Sequence, residues 1–301
     1  MRPGPIGTAF ALLGLLPCLV GAQEATMHSA TLRAGDLTVV IGDDSDHGAG
    51  KAGYEGIWSL THTQRDVNVF RPIYAGVIAH RQPCTVVRLS ETAAEIRREG
   101  GAAVERFEVV APHFIDYTVR FKAGGTGAGW NTASYMNAPE DPAIYLINSA
   151  GEWMRHYDPE HGHAASVLPE GMEPPVLQTV PDAIYPHGTN SFADAVSDLR
   201  FDPERALFYG NIDGGMVLIY MFERGSEVIP YMSPSGGGFD ADLQRKCPAW
   251  DFRYRLQGLT AGEEVVLRTR LVYKPFVSEE DVLAEYAAWR EGLVEEGAAP
   301  E

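Results

Sequence analysis

The sequence predicts an all-β protein, a large antiparallel β-sandwich with one C-terminal amphipathic helix. Three observations predict it. Short runs rich in β-branched and aromatic residues recur along most of the chain, bounded by Gly, Pro or Asp. Several alternate apolar and polar side chains, the period of a half-buried strand. A clear helical period occurs only near the end.

The chain opens with Arg2, an apolar stretch from Ala9 to Val20, and the small residues Gly21 and Ala22 before Gln23. This order predicts a secretory signal over residues 1–22, leaving a single β-sandwich domain over 23–301 that is secreted or periplasmic. The apolar run is short for a bilayer span, so no membrane insertion is expected after cleavage. Cys18 follows Pro17, a poor fit to lipoprotein processing. Cys84 and Cys247 then remain, and they form either one long-loop disulfide or two buried thiols. A formal net charge of −17 excludes the basic footprint that nucleic-acid partners require, and it disfavours an anionic membrane surface.

Strands are expected in "DLTVVIG" (36–42), "GIWSLTH" (56–62) and "RPIYAGVIAH" (71–80). "VERFEVVAPHFIDYTVRFKAG" (104–124) reads as two strands around Ala111-Pro112-His113, with Ile115, Tyr117, Val119 and Phe121 sharing one face. Further strands fall in "GGMVLIYMFERG" (214–225), "WDFRYRLQGL" (250–259) and "EEVVLRTRLVYKPF" (263–276). Ser278, three residues before Asp281, opens a helix over 278–296 whose apolar face is Val282, Leu283, Tyr286, Trp289 and Leu293. "SFADAVSDL" (191–199) reads as a shorter helical turn, and residues 151–186, rich in Pro, Gly, His and Glu, as a long loop.

Most motifs with known chemistry are missing. His156, His161 and His163 offer metal donors, but Pro159 and Gly162 interrupt them and no matching ligand set is evident, so no metal and no cofactor are expected. Asp44, Asp46 and Glu55 faintly follow a calcium loop, yet Ala49 stands where the turn glycine belongs, and a solvated acidic turn is expected instead. Gly236, Gly237 and Gly238 lack a nucleotide-binding context, and no G-x-S-x-G elbow is present. "SPSGGGFD" (233–240) reads as a flexible connection across one end of the sandwich.

The polar-aromatic strand ends remain. In "GIWSLTH", Trp58, Leu60 and His62 alternate onto one face, and His80 ends the following run. "WNTASYMNAPEDP" (130–142) supplies Asn131, Tyr135, Asn137, Glu140 and Asp141, and Trp250 and Asp251 open a later strand. Rings that stack on a sugar, set among amides, carboxylates and imidazoles, are what a carbohydrate cleft needs. Each also has a bland reading as a satisfied core or turn residue.

In strand order the chain resembles the galactose mutarotase-like β-supersandwich, through "RFEVVAPHFIDYTVRFKA", the polar-aromatic strand, and "LQGLTAGEEVVLRTRLVYKPF". "GIWSLTH", "SPSGGG" and "PAWDF" also resemble segments of secreted bacterial proteins. The superfamily resemblance implies sugar epimerases, polysaccharide lyases or glycoside hydrolases. "ASYMN" aligns with the end of the epimerase segment, but Ala133 stands where its catalytic histidine would be, which disfavours simple anomer interconversion.

The expected ligand is therefore an oligosaccharide or polysaccharide in a cleft on a concave sheet face. For a lyase, Tyr135 or His62 is the candidate base, with Asn137, His80 or Arg71 neutralising a uronate. A hydrolase needs two carboxylates, for which Glu140, Asp141 and Asp251 are the candidates. Trp58, Asn131 and Trp250 complete the expected binding set. The competing expectation is a non-catalytic sugar-binding or envelope-associated protein using the same rings and amides.

Overall fold

The computed structural model describes residues 26–43, 55–71, 84–101, 103–124, 129–158, 165–174, 195–234 and 246–298. The expected signal segment, His80, His161, His163 and the Gly236–Gly238 run lie outside them.

The fold is a predominantly antiparallel β-sandwich. Its largest sheet contains, in chain order, β1 (Thr26–Met27), β5 (Cys84–Arg88), β6 (Ala93–Arg98), β7 (Ala103–Val110), β8 (Phe114–Lys122), β10 (Ile144–Ile147), β11 (Trp153–His156), β14 (Leu207–Ile212), β15 (Met216–Phe222) and β18 (Glu264–Pro275). Across the sheet these run β1-β5-β6-β7-β8-β18-β15-β14-β10-β11. A second sheet is ordered β13-β12-β16-β17-β9, built from β13 (Ala195–Phe201), β12 (Ala165–Pro169), β16 (Val228–Ser233), β17 (Ala249–Arg255) and β9 (Gly129–Thr132). The third is β2 (Ser29–Ala34), β3 (Leu37–Gly42) and β4 (Gly56–His62).

Alternation explains how the sheets meet. Phe107, Ile115, Tyr117, Val119, Leu218, Tyr220 and Phe222 point inward from the large sheet. Trp130, Val167, Trp250, Phe252 and Tyr254 answer from the second, and Leu32, Val39, Ile57 and Leu60 from the third. Wholly burying such a side chain contributes roughly 1.5–3 kcal/mol, so this shared core dominates the stability. One contact needs a glycine: a Cβ on Gly210 would stand 2.1 Å from the Trp250 ring, so the indole lies directly on the backbone of β14.

Helix α1 (Glu279–Ala298) covers part of the large sheet's outer face. Val282, Tyr286 and Trp289 pack on Val217, Ile219 and Met221. The Ser278 hydroxyl accepts the Asp281 amide at 3.2 Å, as its spacing predicts. Lys274 Nζ ties the helix down through Asp281 at 2.7 Å and through Glu285.

Three expectations are corrected. Ala195–Phe201, which takes in the described part of the 191–199 stretch expected as a short helix, is strand β13, paired parallel to β12. Local helical propensity yields there to pairing with β12. The segment read as a long loop contains β11 and β12. Glu55 is also no solvated turn residue: it is wholly buried and bound to Arg98. Cys84 and Cys247 are not bridged to one another.

Candidate functional site

Three extended segments meet beside β17. Tyr135 bridges to Ala249, and Phe70 bridges to Met136. Backbone bonds run from Arg71 N to Tyr135 O at 2.9 Å and from Met136 N to Pro248 O at 2.8 Å. The seam brings Arg71, Tyr135, Asn137, Trp250 and Asp251 together, although they come from three distant parts of the sequence.

Strand alternation then sorts these side chains. Asp251 stands opposite Tyr231, Arg253 opposite Asn131, and Ser166 opposite Tyr231, so these five residues share the face of the second sheet turned away from the core. Trp250, between them in sequence, points the other way. Its ring is buried on Gly210 and its Nε1 donates to Pro142 O at 2.9 Å, so it is a core anchor and presents no ring to a ligand.

The outward face is knitted together. Tyr231 donates to Asn131 Oδ1 at 2.8 Å, and Arg253 lies 5.8 Å over the Tyr231 ring and donates to Ser166 Oγ at 3.3 Å. Asn131 is exposed, Tyr135 half-buried and Asp251 6% exposed. Asp251 Oδ1 accepts the Ser134 amide at 2.7 Å. Burial nevertheless drives its pKa up to about 8, because one amide dipole does not replace the lost hydration of a carboxylate. Near neutrality the group is mainly the neutral acid. The Tyr220 hydroxyl and Ser134 Oγ are buried close by without a well-formed hydrogen bond.

The rest of the polar-aromatic stretch is committed to structure. Asn137 Nδ2 donates to Asn68 O at 3.0 Å, while Asn68 Oδ1 accepts the Leu60 and Phe70 amides. Asp141 accepts Arg155 through both oxygens at 2.6 and 2.9 Å and the Tyr145 hydroxyl at 2.6 Å; these bonds outweigh its partial burial and hold its pKa down at about 2. It is therefore a fixed anion and unsuited to give a proton. Glu140 is exposed, and its backbone amide donates to Asn211 O at 3.0 Å.

His62 and Trp58 belong to the third sheet and do not join this seam. A β-bulge between Val40 and Ile41 breaks the alternation that would have put Trp58 on the face of Leu60 and His62. Trp58 packs instead on Gly42. The His62 ring is buried, and its Nδ1 accepts the Gln64 amide at 3.0 Å, which puts the ring hydrogen on Nε2. Asp36 Oδ2 lies 3.7 Å from Nε2 and the Tyr273 ring packs edge-on at 5.6 Å. Burial lowers the His62 pKa despite Asp36, so the group is neutral and braces a turn. His156 is similar: buried, with Nε2 2.9 Å from Ala165 O. No cluster of three metal-ligating side chains occurs among the described residues.

Sequence reasoning missed Ser166, Tyr231 and Arg253. A local signal did exist for Arg253, since "WDFRYR" alternates aromatic and charged residues. Nothing local reveals Ser166 or Tyr231, whose places depend on long-range register.

No protein-family model matches the chain, and no curated protein does. Among solved structures it is similar to one from Escherichia coli K12 described as a "Putative aldose 1-epimerase", with a TM-score of 0.47, 10% identity, and coverage of 84% of this chain and 100% of that one. It is also similar to HI1317, with a TM-score of 0.42, 10% identity, and coverage of 82% and 92%. Both are similarities in the general course of the chain.

Proposed function

We propose that the protein is an exported carbohydrate-active enzyme whose working surface is the outward face of β9, β12, β16 and β17, with Asp251 as its general acid. The observation that carries this reading is Asp251 itself. It is a withdrawn carboxyl, positioned by a backbone amide, protonated near neutrality, and set opposite Tyr231 on the strand face that also carries Asn131, Ser166 and Arg253. Oδ1 is engaged by Ser134, so Oδ2 carries the proton.

Cleaving a glycosidic bond leaves an electron pair on the departing oxygen, and Asp251 gives that oxygen its proton. In hydrolysis, water adds to the anomeric carbon and its proton returns to the Asp251 carboxylate; in elimination, a base removes the C5 proton beside the uronate carboxylate as the C4–O bond breaks and a C4=C5 double bond forms. The shared step uses Asp251 in either case. Tyr135, on the same seam, is the candidate base for elimination. Asn131, Tyr231 and Arg253 orient the sugar. A non-catalytic sugar-binding role is the second reading, favoured by the mutual satisfaction of Tyr231 with Asn131 and of Arg253 with Ser166.

The test is incubation with a polysaccharide panel, reading new reducing ends and the absorbance of unsaturated products. Unsaturated products indicate elimination, and reducing ends alone indicate hydrolysis. Saturable binding without cleavage supports the second reading. Cleavage that survives Asp251→Asn overturns the assignment of the acid.

A further inference from the structure

On the opposite side of the molecule, where the C-terminal helix stops covering the large sheet, lies a groove of about 240 Å³. Its floor is the outward face of three neighbouring strands. Register places Glu108 beside Asp116 and Asp116 beside Arg270 in one row, with Thr118 beside Arg268 in the next. Its wall is the helix flank, where Trp289 and Leu293 stand on either side of Gly292.

The bland reading is a solvated sheet edge. Three features take the groove beyond it. The floor is stiff: Arg270 grips both oxygens of Asp116 at 2.6 and 2.7 Å while lying 4.8 Å over the Phe114 ring. The floor is also electrically balanced, since Glu108 and Asp116 offset Arg268 and Arg270. Each charge has a partner, through Arg106 for Glu108 and Glu223 for Arg268. Third, the mouth is open at Gly292, where a Cβ would meet nothing within 4 Å.

Paired carboxylates and guanidiniums keep spare acceptor and donor positions after pairing. A hydroxyl, being donor and acceptor at once, uses both without breaking a pair, whereas an ion must compete with one partner. Half-buried Leu293, beside the open Gly292, supplies an apolar wall for a ring, backed by Trp289, which is buried against the sheet. We propose that this groove binds one neutral, pyranose-sized sugar unit, as a second carbohydrate site independent of Asp251.

Methyl-resolved NMR of the full chain with glucose, galactose and mannose tests this, with galacturonate and glucosamine as charged comparators. The expected result is saturable shifts at the methyl groups of Thr118, Ala288 and Leu293, stronger for a neutral sugar than for either charged one. Gly292→Trp fills the mouth and weakens that binding by roughly tenfold or more, without lowering the melting temperature or the cleavage of a glycan at the other face. Thr118→Val, with the wild-type shift map, provides the same decision if the tryptophan variant fails to fold. Asp251→Asn leaves groove binding unchanged, which separates this site from the proposed catalytic face. Absence of saturable shifts at these methyls, unaltered binding in Gly292→Trp, or preference for a charged sugar each overturns the proposal.

Discussion

Glu105 and Asp251 are both carboxyls withdrawn from water, one on β7 inside the sandwich and the other on β17. Glu105 is fully tied: Arg98 Nη2 donates to it at 2.8 Å and the Tyr117 hydroxyl at 2.8 Å, with Trp130 Nε1 donating in turn to Tyr117 at 3.0 Å. The same guanidinium holds Glu55 at 2.8 Å and lies 5.1 Å over the Trp130 ring. Burial pushes the Glu105 pKa up, while Arg98 and Tyr117 oppose that rise. Among the described residues no such cation reaches Asp251, only the Ser134 amide, and its pKa rises to about 8. The contrast teaches that burial alone does not mark a working acid. Where a buried carboxyl has a guanidinium, it holds the fold together; where it has only a dipole, it stores a proton.

The largest way to break this comparison is Arg98→Met. It leaves Glu55 and Glu105 buried without their cation, and we expect a loss of about 3–5 kcal/mol in urea unfolding. A loss below about 1 kcal/mol would show that solvent reaches the network.

Asp251→Asn comes next. Removing a general acid should reduce turnover by roughly 10²–10⁴-fold. Wild-type activity should fall as pH rises through about 8, where the acid loses its proton. Stability should move in parallel. The folded pKa lies above the unfolded one, so between about pH 4 and pH 8 the folded state holds a proton that the unfolded state has released. This contribution is complete below about pH 4 and is lost as pH rises to about 8, with a slope approaching roughly 1.4 kcal/mol per pH unit. Denaturation midpoints across that range should decline in the wild type relative to the asparagine variant; parallel curves would sink the assignment.

His62 sharpens the same contrast from the other side. His62→Ala should cost about 1–3 kcal/mol through the unpaired Gln64 amide and lost packing, while ligand recognition in the folded fraction stays unchanged. Because its folded pKa is lowered, the contribution of neutral His62 is present above the unfolded value near 6.5 and declines as pH falls below it. The smallest effect expected is that of Ser278→Ala, about 1 kcal/mol from the lost helix cap, with activity intact.

The legible parts of the sequence were those governed by local period. The paired strands around Pro112, the long closing strand and the capped helix follow from alternation, turn residues and the Ser278–Asp281 spacing. The sequence sets Tyr135 and Asn137 in one cleft with Trp58, His62, His80 and Asp251; the backbone places Tyr135 beside the strand of Asp251, whereas Trp58 and His62 lie on a different sheet. Composition alone sets Trp250 among ligand-facing residues, although alternation with Asp251 sends one of the pair inward. His62 and Trp58 were misgrouped by a bulge that leaves no clear mark in "GIWSLTH". Ser166 and Tyr231 are out of reach of local reading, since they face each other across 65 positions of sequence.

Trp250 and Asp251 are consecutive, and that adjacency has a mechanical consequence. The proposed acid is the next residue after a ring clamped against bare backbone at Gly210, so it cannot be re-aimed without dislodging that ring from the centre of the sandwich. The position of Asp251 inherits the stiffness of the core and not that of a loop. On heating, loss of activity should coincide with global melting rather than precede it. Gly210→Ala, although on another strand and facing the interior, should blur the position of the acid before any residue near the sugar has been changed.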